Sequence, residues 1–184
     1  MTDKTGMKDS YLEGRRLEAA ARSENSPSAW LEFAGLKAAK GSYALSALGY
    51  LNAGMLLEAA GDKSAAESYA DGFGICVKGK LREPALFLVS RLAALLERRG
   101  DTAGAAAAYE RLSSFCEESG AWFLAADAAE HAAEMMRAGG RDISGYSRPA
   151  ELWERNAEYW KDRDAGDEAW SRRRADLYRE SLEK

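Results

Sequence analysis

Two stretches of the chain, LLEAAGD at residues 56–62 and LLERRGD at residues 95–101, share an apolar pair, a glutamate and a Gly-Asp turn. When the two stretches are superposed and the alignment is continued with one inserted residue, two tyrosines and both cysteines also align: Tyr69 with Tyr109, and Cys76 with Cys116. Self-similarity at a fixed period of about 40 residues is typical of helical repeat proteins. The two stretches therefore predict a repeated unit.

Glycine recurs about every 20 residues, between segments that are rich in alanine and leucine. Glycine ends helices because it adopts the left-handed conformation without a Cβ clash. Within the segments, apolar residues recur at three and four positions, which indicates amphipathic helices. The predicted stops are Gly41, Gly61, Gly79, Gly100, Gly120 and Gly139 or Gly140. The pattern predicts no strand and nine helices, over residues 9–22, 27–40, 42–60, 62–78, 82–99, 101–119, 121–138, 148–164 and 167–182.

A stop every 20 residues gives a pair of helices every 40, which is the organisation of an α-solenoid. Each hairpin has an apolar face that it cannot bury alone, so neighbouring hairpins must stack. The expected fold is all-α, with about four helical hairpins plus an extra helix. We expect residues 1–184 to form a single domain in which residues 1–8 are disordered.

The repeated residues resemble the tetratricopeptide (TPR) pattern of a small residue in helix A, a Gly-Asp turn, and small and aromatic residues in helix B. They are Asn52-Ala53-Gly54, Gly61-Asp62 and Ala66, then Gly100-Asp101, Ala105, Tyr109 and Leu112. The longer period is more similar to the TPR-like solenoid of the soluble NSF attachment protein (SNAP) family. The best local match is AWFLAADAAEHAAEMM at 121–136 followed by RPAELWERNAEYWKDRDAGDEAWSRRRADLY at 148–178. The resemblance implies a right-handed TPR-like solenoid.

Charge and composition argue against several classes of protein. With 26 basic and 30 acidic residues the net charge is −4, which is not the footprint of a nucleic-acid binder. The most apolar stretch, residues 44–57, is shorter than the roughly 20 residues that span a bilayer, so no membrane insertion is expected. The N-terminus has no apolar signal core, and the two cysteines fit buried thiols in a reducing compartment. We therefore expect a cytoplasmic protein.

The inventory of catalytic groups is thin, because the chain has one histidine, no nucleophile elbow, no phosphate-binding glycine loop and no CxxC pair. Asp127, His131 and Glu134 share one helical face at the spacing that a metal would use. A di-metal carboxylate bundle needs a second carboxylate helix with its own ExxH, which is missing. We expect no enzyme activity, no catalytic residues, no cofactor and no metal.

A partner-binding groove is the functional interpretation. If Gly54, Ala93 and Ala133 occupy equivalent small positions, then the polar residues two positions before each of them, Asn52, Arg91 and His131, are also equivalent. The resemblance implies that these polar residues face a concave groove. The predicted groove residues are Asn52, Met55, Arg91, Arg98, Asp127, His131, Glu134 and Arg137. The simpler alternative is a solvated face without a partner.

The predicted function is a protein-interaction adaptor or scaffold that holds a protein or peptide in this groove. Two alternatives stay open: a self-associating structural protein, such as a homodimer, and a carboxylate-dependent enzyme that works with aspartate and glutamate alone.

Aromatic residues cluster near the C-terminus of the sequence. Trp153 and Trp160, with Trp170 and Tyr178 in the next helix, are expected to seal the last hairpin. If two of the tryptophans are exposed instead, they mark an interface. The run of three arginines at 172–174 is expected to pair with acidic neighbours on its own helix.

Overall fold

A computed structural model describes residues 4–182, with all of their side chains except those of residues 4–12 and 14. The described residues form α-helices and no strand, so the expected all-α class is confirmed. None of these helices combines the length and the apolar character needed to cross a bilayer. The helices are α1 (Lys4–Glu24), α2 (Pro27–Ala39), α3 (Tyr43–Ala59), α4 (Ala65–Gly79), α5 (Arg82–Arg98), α6 (Thr102–Glu118), α7 (Trp122–Ala138), α8 (Arg148–Trp160) and α9 (Ala165–Leu182).

The largest differences from the predicted boundaries occur at three helix ends. Helix α1 already includes residues 4–8, and residues 1–3 of the expected disordered segment lie outside the described residues. Helix α4 begins at Ala65 because the Asp62 carboxylate accepts hydrogen bonds from the Ser64 backbone and hydroxyl, which forms a turn. Helix α8 ends at Trp160, four residues before its predicted end, and the Asp164 carboxylate caps α9 by accepting from the backbone N–H groups of Gly166 and Asp167.

Side-chain caps begin two of the helices, and glycines follow several of the helix ends. The side chain of Ser26 accepts from the backbone N–H of Ala29, and the Asp101 carboxylate accepts from that of Gly104 at 2.8 Å. Five glycines that follow helices have positive φ angles: Gly41, Gly61, Gly100, Gly120 and Gly140.

Gly79 is a correction to the predicted stops. The left-handed residue there is Lys80, with φ of 53°, and Gly79 is the last residue of α4. A Cβ atom on Gly79 would lie 2.7 Å from the Cβ atom of Tyr43 on α3. Gly79 is therefore needed for the close approach of α3 and α4 rather than for its own backbone angle.

The chain divides into two compact units after Leu92, so the boundary falls inside α5. In the first unit, the helices α1 to α4 each pack against the next helix in the chain. In the second unit, the helices α6 to α9 do the same.

The core of the first unit joins aromatic side chains with very small residues. Trp30 and Phe33 of α2 pack edge to face and lie in one buried cluster with Ala53 of α3. Deeper in the unit, Tyr69 and Leu88 are buried almost completely. The small residues let neighbouring helices approach closely, and the large side chains fill the space between them.

Buried serines connect neighbouring helices in both units. The Ser46 hydroxyl donates to the backbone oxygen of Ala34 in the first unit, at 2.8 Å. In the second unit the Ser113 hydroxyl donates to the backbone oxygen of Ala125, also at 2.8 Å. The alanine-rich faces of α6 and α7 make this close contact possible, and each buried hydroxyl has its acceptor.

Candidate functional site

The eight predicted groove residues all reach the surface, and none of them is buried. They lie on α3, α5 and α7. In the first unit they are Asn52, Met55 and Arg91; in the second unit they are Arg98, Asp127, His131, Glu134 and Arg137. The two groups are described separately below.

An exposed apolar surface, called here the α3–α5 face, lies in the first unit. On α3 it consists of Leu45, Leu48 and Met55 together with Asn52, whose spacing places them on one side of the helix. On α5 it consists of Phe87, which is 52% exposed. Helix α5 lies beside α3, because Arg91, one turn after Phe87, donates to Glu58 of α3. Leu45 and Leu48 follow the three-and-four spacing of apolar residues that predicts a buried helix face, yet both of them are exposed to solvent.

Arg91 belongs to a polar cluster as well as to the exposed surface. Glu58 Oε2 accepts one hydrogen bond from the Tyr69 hydroxyl at 2.6 Å and one from the Arg91 guanidinium at 3.1 Å. Burial, and then the Glu58 carboxylate, raise the pKa of Tyr69 to about 12, so its hydroxyl keeps the donated proton. The cluster fixes the end of α3 to α4 and α5.

Replacing Tyr69 by phenylalanine is expected to lower the free energy of unfolding by about 1.5 kcal/mol, because Glu58 loses a charge-assisted hydrogen bond while the buried ring stays. Urea denaturation followed by circular dichroism measures the loss. Tyr43→Phe is the matched control in the same unit, with an expected change within about 0.5 kcal/mol. Equal losses in both variants would contradict the role assigned to the Tyr69 hydroxyl.

In the second unit, His131 lies against the tyrosine equivalent to Tyr69. The rings of Tyr109 and His131 have centroids 5.2 Å apart and are tilted by 33°. The His131 Nδ1 atom is 2.9 Å from the backbone oxygen of Asp127. Burial raises the pKa of Tyr109, and the carboxylates of Glu97, Asp127 and Glu134 raise it further. The surroundings of Tyr69 and Tyr109 are thus related, as the repeat alignment predicts.

A cleft of about 200 Å³ separates α7 from α9 in the second unit. It contains two of the predicted groove residues, Glu134 and Arg137. The residues that sequence reasoning did not place there are Glu130, Arg174, Leu177, Tyr178 and Ser181.

Glu130 is the most buried carboxylate of this cleft, and its side chain is only 14% exposed. It accepts from the indole nitrogen of Trp153 at 2.7 Å and from the guanidinium of Arg174. Burial raises the pKa of Glu130, while the Trp153 hydrogen bond and the Arg174 charge act in the opposite direction. The two donors therefore offset part of the effect of burial, and the pKa of Glu130 stays above its usual value.

The three consecutive arginines follow the prediction in part. Arg172 pairs with Glu168 and Arg173 with Glu180, both on their own helix, as expected. Arg174 instead crosses to Glu130 on α7. No local signal in the sequence distinguishes Arg174 from its two neighbours.

The aromatic residues of the last helices divide between burial and exposure. Trp153 and Tyr178 are buried, as the sealing role predicts, whereas Trp170 is 47% exposed. Trp170 stacks on Phe123 with centroids 5.8 Å apart, and Trp153 lies edge-on beneath both rings. Phe123 and Trp170 therefore form an exposed aromatic pair above a buried indole.

Among residues 4–182, no group of three or more histidine, cysteine, aspartate or glutamate side chains is arranged to hold a metal ion. The nearest approach in the predicted set is His131 Nδ1, which is 3.8 Å from Asp127 Oδ2.

Comparison with protein-family models and with curated proteins finds no match to this chain. The resemblance to TPR and SNAP proteins stays a prediction from the residues quoted above.

Proposed function

We propose that the chain is a non-enzymatic protein-interaction module, built as a right-handed TPR-like α-solenoid. Two observations support this architecture. Within each unit, helices that follow one another in the chain pack together. The equivalent residues Tyr69 and Tyr109 interact with Arg91 and His131, respectively, which the repeat alignment also makes equivalent.

The partner in this proposal is a protein segment with apolar side chains, held on the α3–α5 face. The observation that carries the proposal is the exposure of Leu45, Leu48 and Met55 along one side of α3, together with that of Phe87 on α5. Large apolar side chains that are exposed together mark interaction sites, because their burial by a partner removes apolar area from water. Asn52 lies among them and offers an amide that can bind the backbone of a partner.

In the second unit, the polar residues Arg98, Asp127, His131, Glu134 and Arg137 are proposed to form a separate contact surface, which acts through hydrogen bonds and charge. Both cysteines are buried thiols, which supports a reducing compartment such as the cytoplasm.

Selection of binders from a random-peptide display library tests the proposal directly. Peptides that bind the whole chain should carry apolar residues, and Phe87→Ala should weaken their binding about tenfold, because it removes the largest exposed anchor. Fluorescence anisotropy with a labelled peptide measures the dissociation constant.

Val77→Ala is the matched control, since Val77 is also an exposed apolar residue but lies on α4. It should leave the dissociation constant unchanged. A library that yields no binder, or binders that are equally sensitive to both substitutions, would refute the α3–α5 face as the partner site.

Self-association is the second candidate, and the exposed pair of Phe123 and Trp170 favours it. Large aromatic side chains dominate interfaces between proteins. Light scattering of the whole chain over a concentration series distinguishes the two candidates. A dimer that Trp170→Ala converts to a monomer would support self-association through this pair.

A further inference from the structure

The cleft between α7 and α9 has polar groups that no described residue satisfies. The Tyr178 side chain is only 9% exposed, and its hydroxyl is buried without a hydrogen-bond partner in the described part of the chain. The Nε–H group of Arg174, on the same side of the cleft, is also buried and has no acceptor among these residues. A buried donor without a partner costs free energy, so a ligand that reached either group would recover part of this cost.

The hydroxyl of Tyr178 is a donor over the whole physiological range. Burial raises the pKa of Tyr178 to about 12, with the nearby Arg137 charge acting against this shift and Glu130 adding to it. The proton therefore stays on the hydroxyl, and the guanidinium of Arg137 lies close enough to act on the same ligand group. A carboxylate is the group that accepts from both donors.

The charges of the cleft specify the ligand further. Glu130 and Arg174 neutralise each other through their ion pair. Two opposite charges, Glu134 and Arg137, also line the cleft one turn apart on α7, and neither forms an ion pair with any side chain that the structure describes. A ligand with two charges of the same sign would leave one side chain unmatched, whereas one positive and one negative charge match both.

We propose that the cleft between α7 and α9 binds a small zwitterion of the α-amino-acid class. Its carboxylate accepts from the Arg137 guanidinium and the Tyr178 hydroxyl, and its ammonium group donates to Glu134. Leu177, 41% exposed at the cleft, provides an apolar contact for the remainder of the ligand. A cleft of about 200 Å³ holds a ligand of this size and is smaller than a site for a drug-sized molecule.

The inference does not rest on the proposed interaction with a protein partner. Its test uses small ligands alone, and Phe87, the residue that tests partner binding, is on a different unit. Glu134 and Arg137 also belong to the polar surface proposed for a partner, so Phe87→Ala is the variant that separates the two activities: it should weaken partner binding and leave amino-acid binding unchanged.

The experiment is a thermal-shift screen of the whole chain against each proteinogenic L-amino acid, followed by calorimetry on the best ligand. At least one amino acid should raise the melting temperature. Arg137→Gln and Tyr178→Phe should each weaken its binding about tenfold, because each removes a donor to the carboxylate. Without ligand, Tyr178→Phe should be at least as stable as the wild type, since the buried hydroxyl that it loses has no partner.

Two further comparisons test the zwitterion itself. To the wild type, an analogue without the ammonium group should bind more weakly than the parent amino acid. The same analogue should bind Glu134→Gln as tightly as it binds the wild type, because it has no group to donate to Glu134. Arg141→Gln and Tyr159→Phe are the matched controls outside the cleft and should leave affinity unchanged. Absence of any amino-acid binding, or an affinity that Arg137→Gln does not change, would overturn the proposal; equal binding of the carboxylate-only analogue would overturn the ammonium contact.

Discussion

Replacing Trp153 by alanine is expected to lower the free energy of unfolding by about 3–5 kcal/mol. The Trp153 side chain is 1% exposed and packs edge-on against both Phe123 and Trp170. Its removal leaves a large cavity in the second unit. It also removes the indole donor from Glu130, so that this carboxylate keeps its burial but loses a hydrogen bond.

Urea denaturation followed by far-ultraviolet circular dichroism measures this loss. Trp170→Ala is the matched control, because it deletes the same side chain at a half-exposed position of the same aromatic cluster. The control should cost about 1 kcal/mol, mainly the ring contacts. A loss at Trp153 no greater than that at Trp170 would show that the indole is not the centre of the core.

The helices could be predicted from the sequence because their signals are local. Apolar residues at three and four positions identify a helix within a few turns, and caps such as Asp101 act on backbone groups three residues away. The repeat of LLEAAGD and LLERRGD was equally informative, since it predicted the related surroundings of Tyr69 and Tyr109. These features depend on the spacing of residues along the chain, which can be read directly from the sequence.

The cleft between α7 and α9 could be predicted only in part, because its contacts join residues far apart in the chain. Glu130 meets Trp153 and Arg174 from two other helices. The helical face that carries Glu134 and Arg137 was visible in the sequence, but the partner helix was not. Tyr178 was correctly expected to be buried, yet its unsatisfied hydroxyl depends on the three-dimensional packing.

The chemistry of the candidate partner surface also differs from the pattern that the sequence suggested. The prediction emphasised a line of polar residues, which included Asn52 and Arg91. In the structure Arg91 is bound to Glu58, and exposed apolar residues dominate the face. An apolar residue at helical spacing is most often in the core, so the sequence alone could not indicate that Leu45 and Leu48 are exposed.

Replacing Gly54 by valine is expected to destabilise the first unit by about 3 kcal/mol, through overpacking. A Cβ atom at Gly54 would lie 2.5 Å from Cε1 and 2.7 Å from Cδ1 of the Tyr69 ring. This ring cannot move aside, because it is fully buried and its hydroxyl is bound to Glu58. Helices α3 and α4 would therefore have to separate, which disrupts the Tyr69–Glu58–Arg91 cluster.

Gly35→Val is the matched control, because Gly35 also lies inside a helix but a Cβ there meets nothing within 4 Å. Valine and glycine have similar helix propensities, so this control should change stability by no more than about 0.5 kcal/mol. Combining Gly54→Val with Tyr69→Ala tests the cause, since removal of the ring should relieve the clash and make the double variant more stable than the sum of the two losses predicts. Additive losses would mean that Gly54 is required for some reason other than its contact with Tyr69.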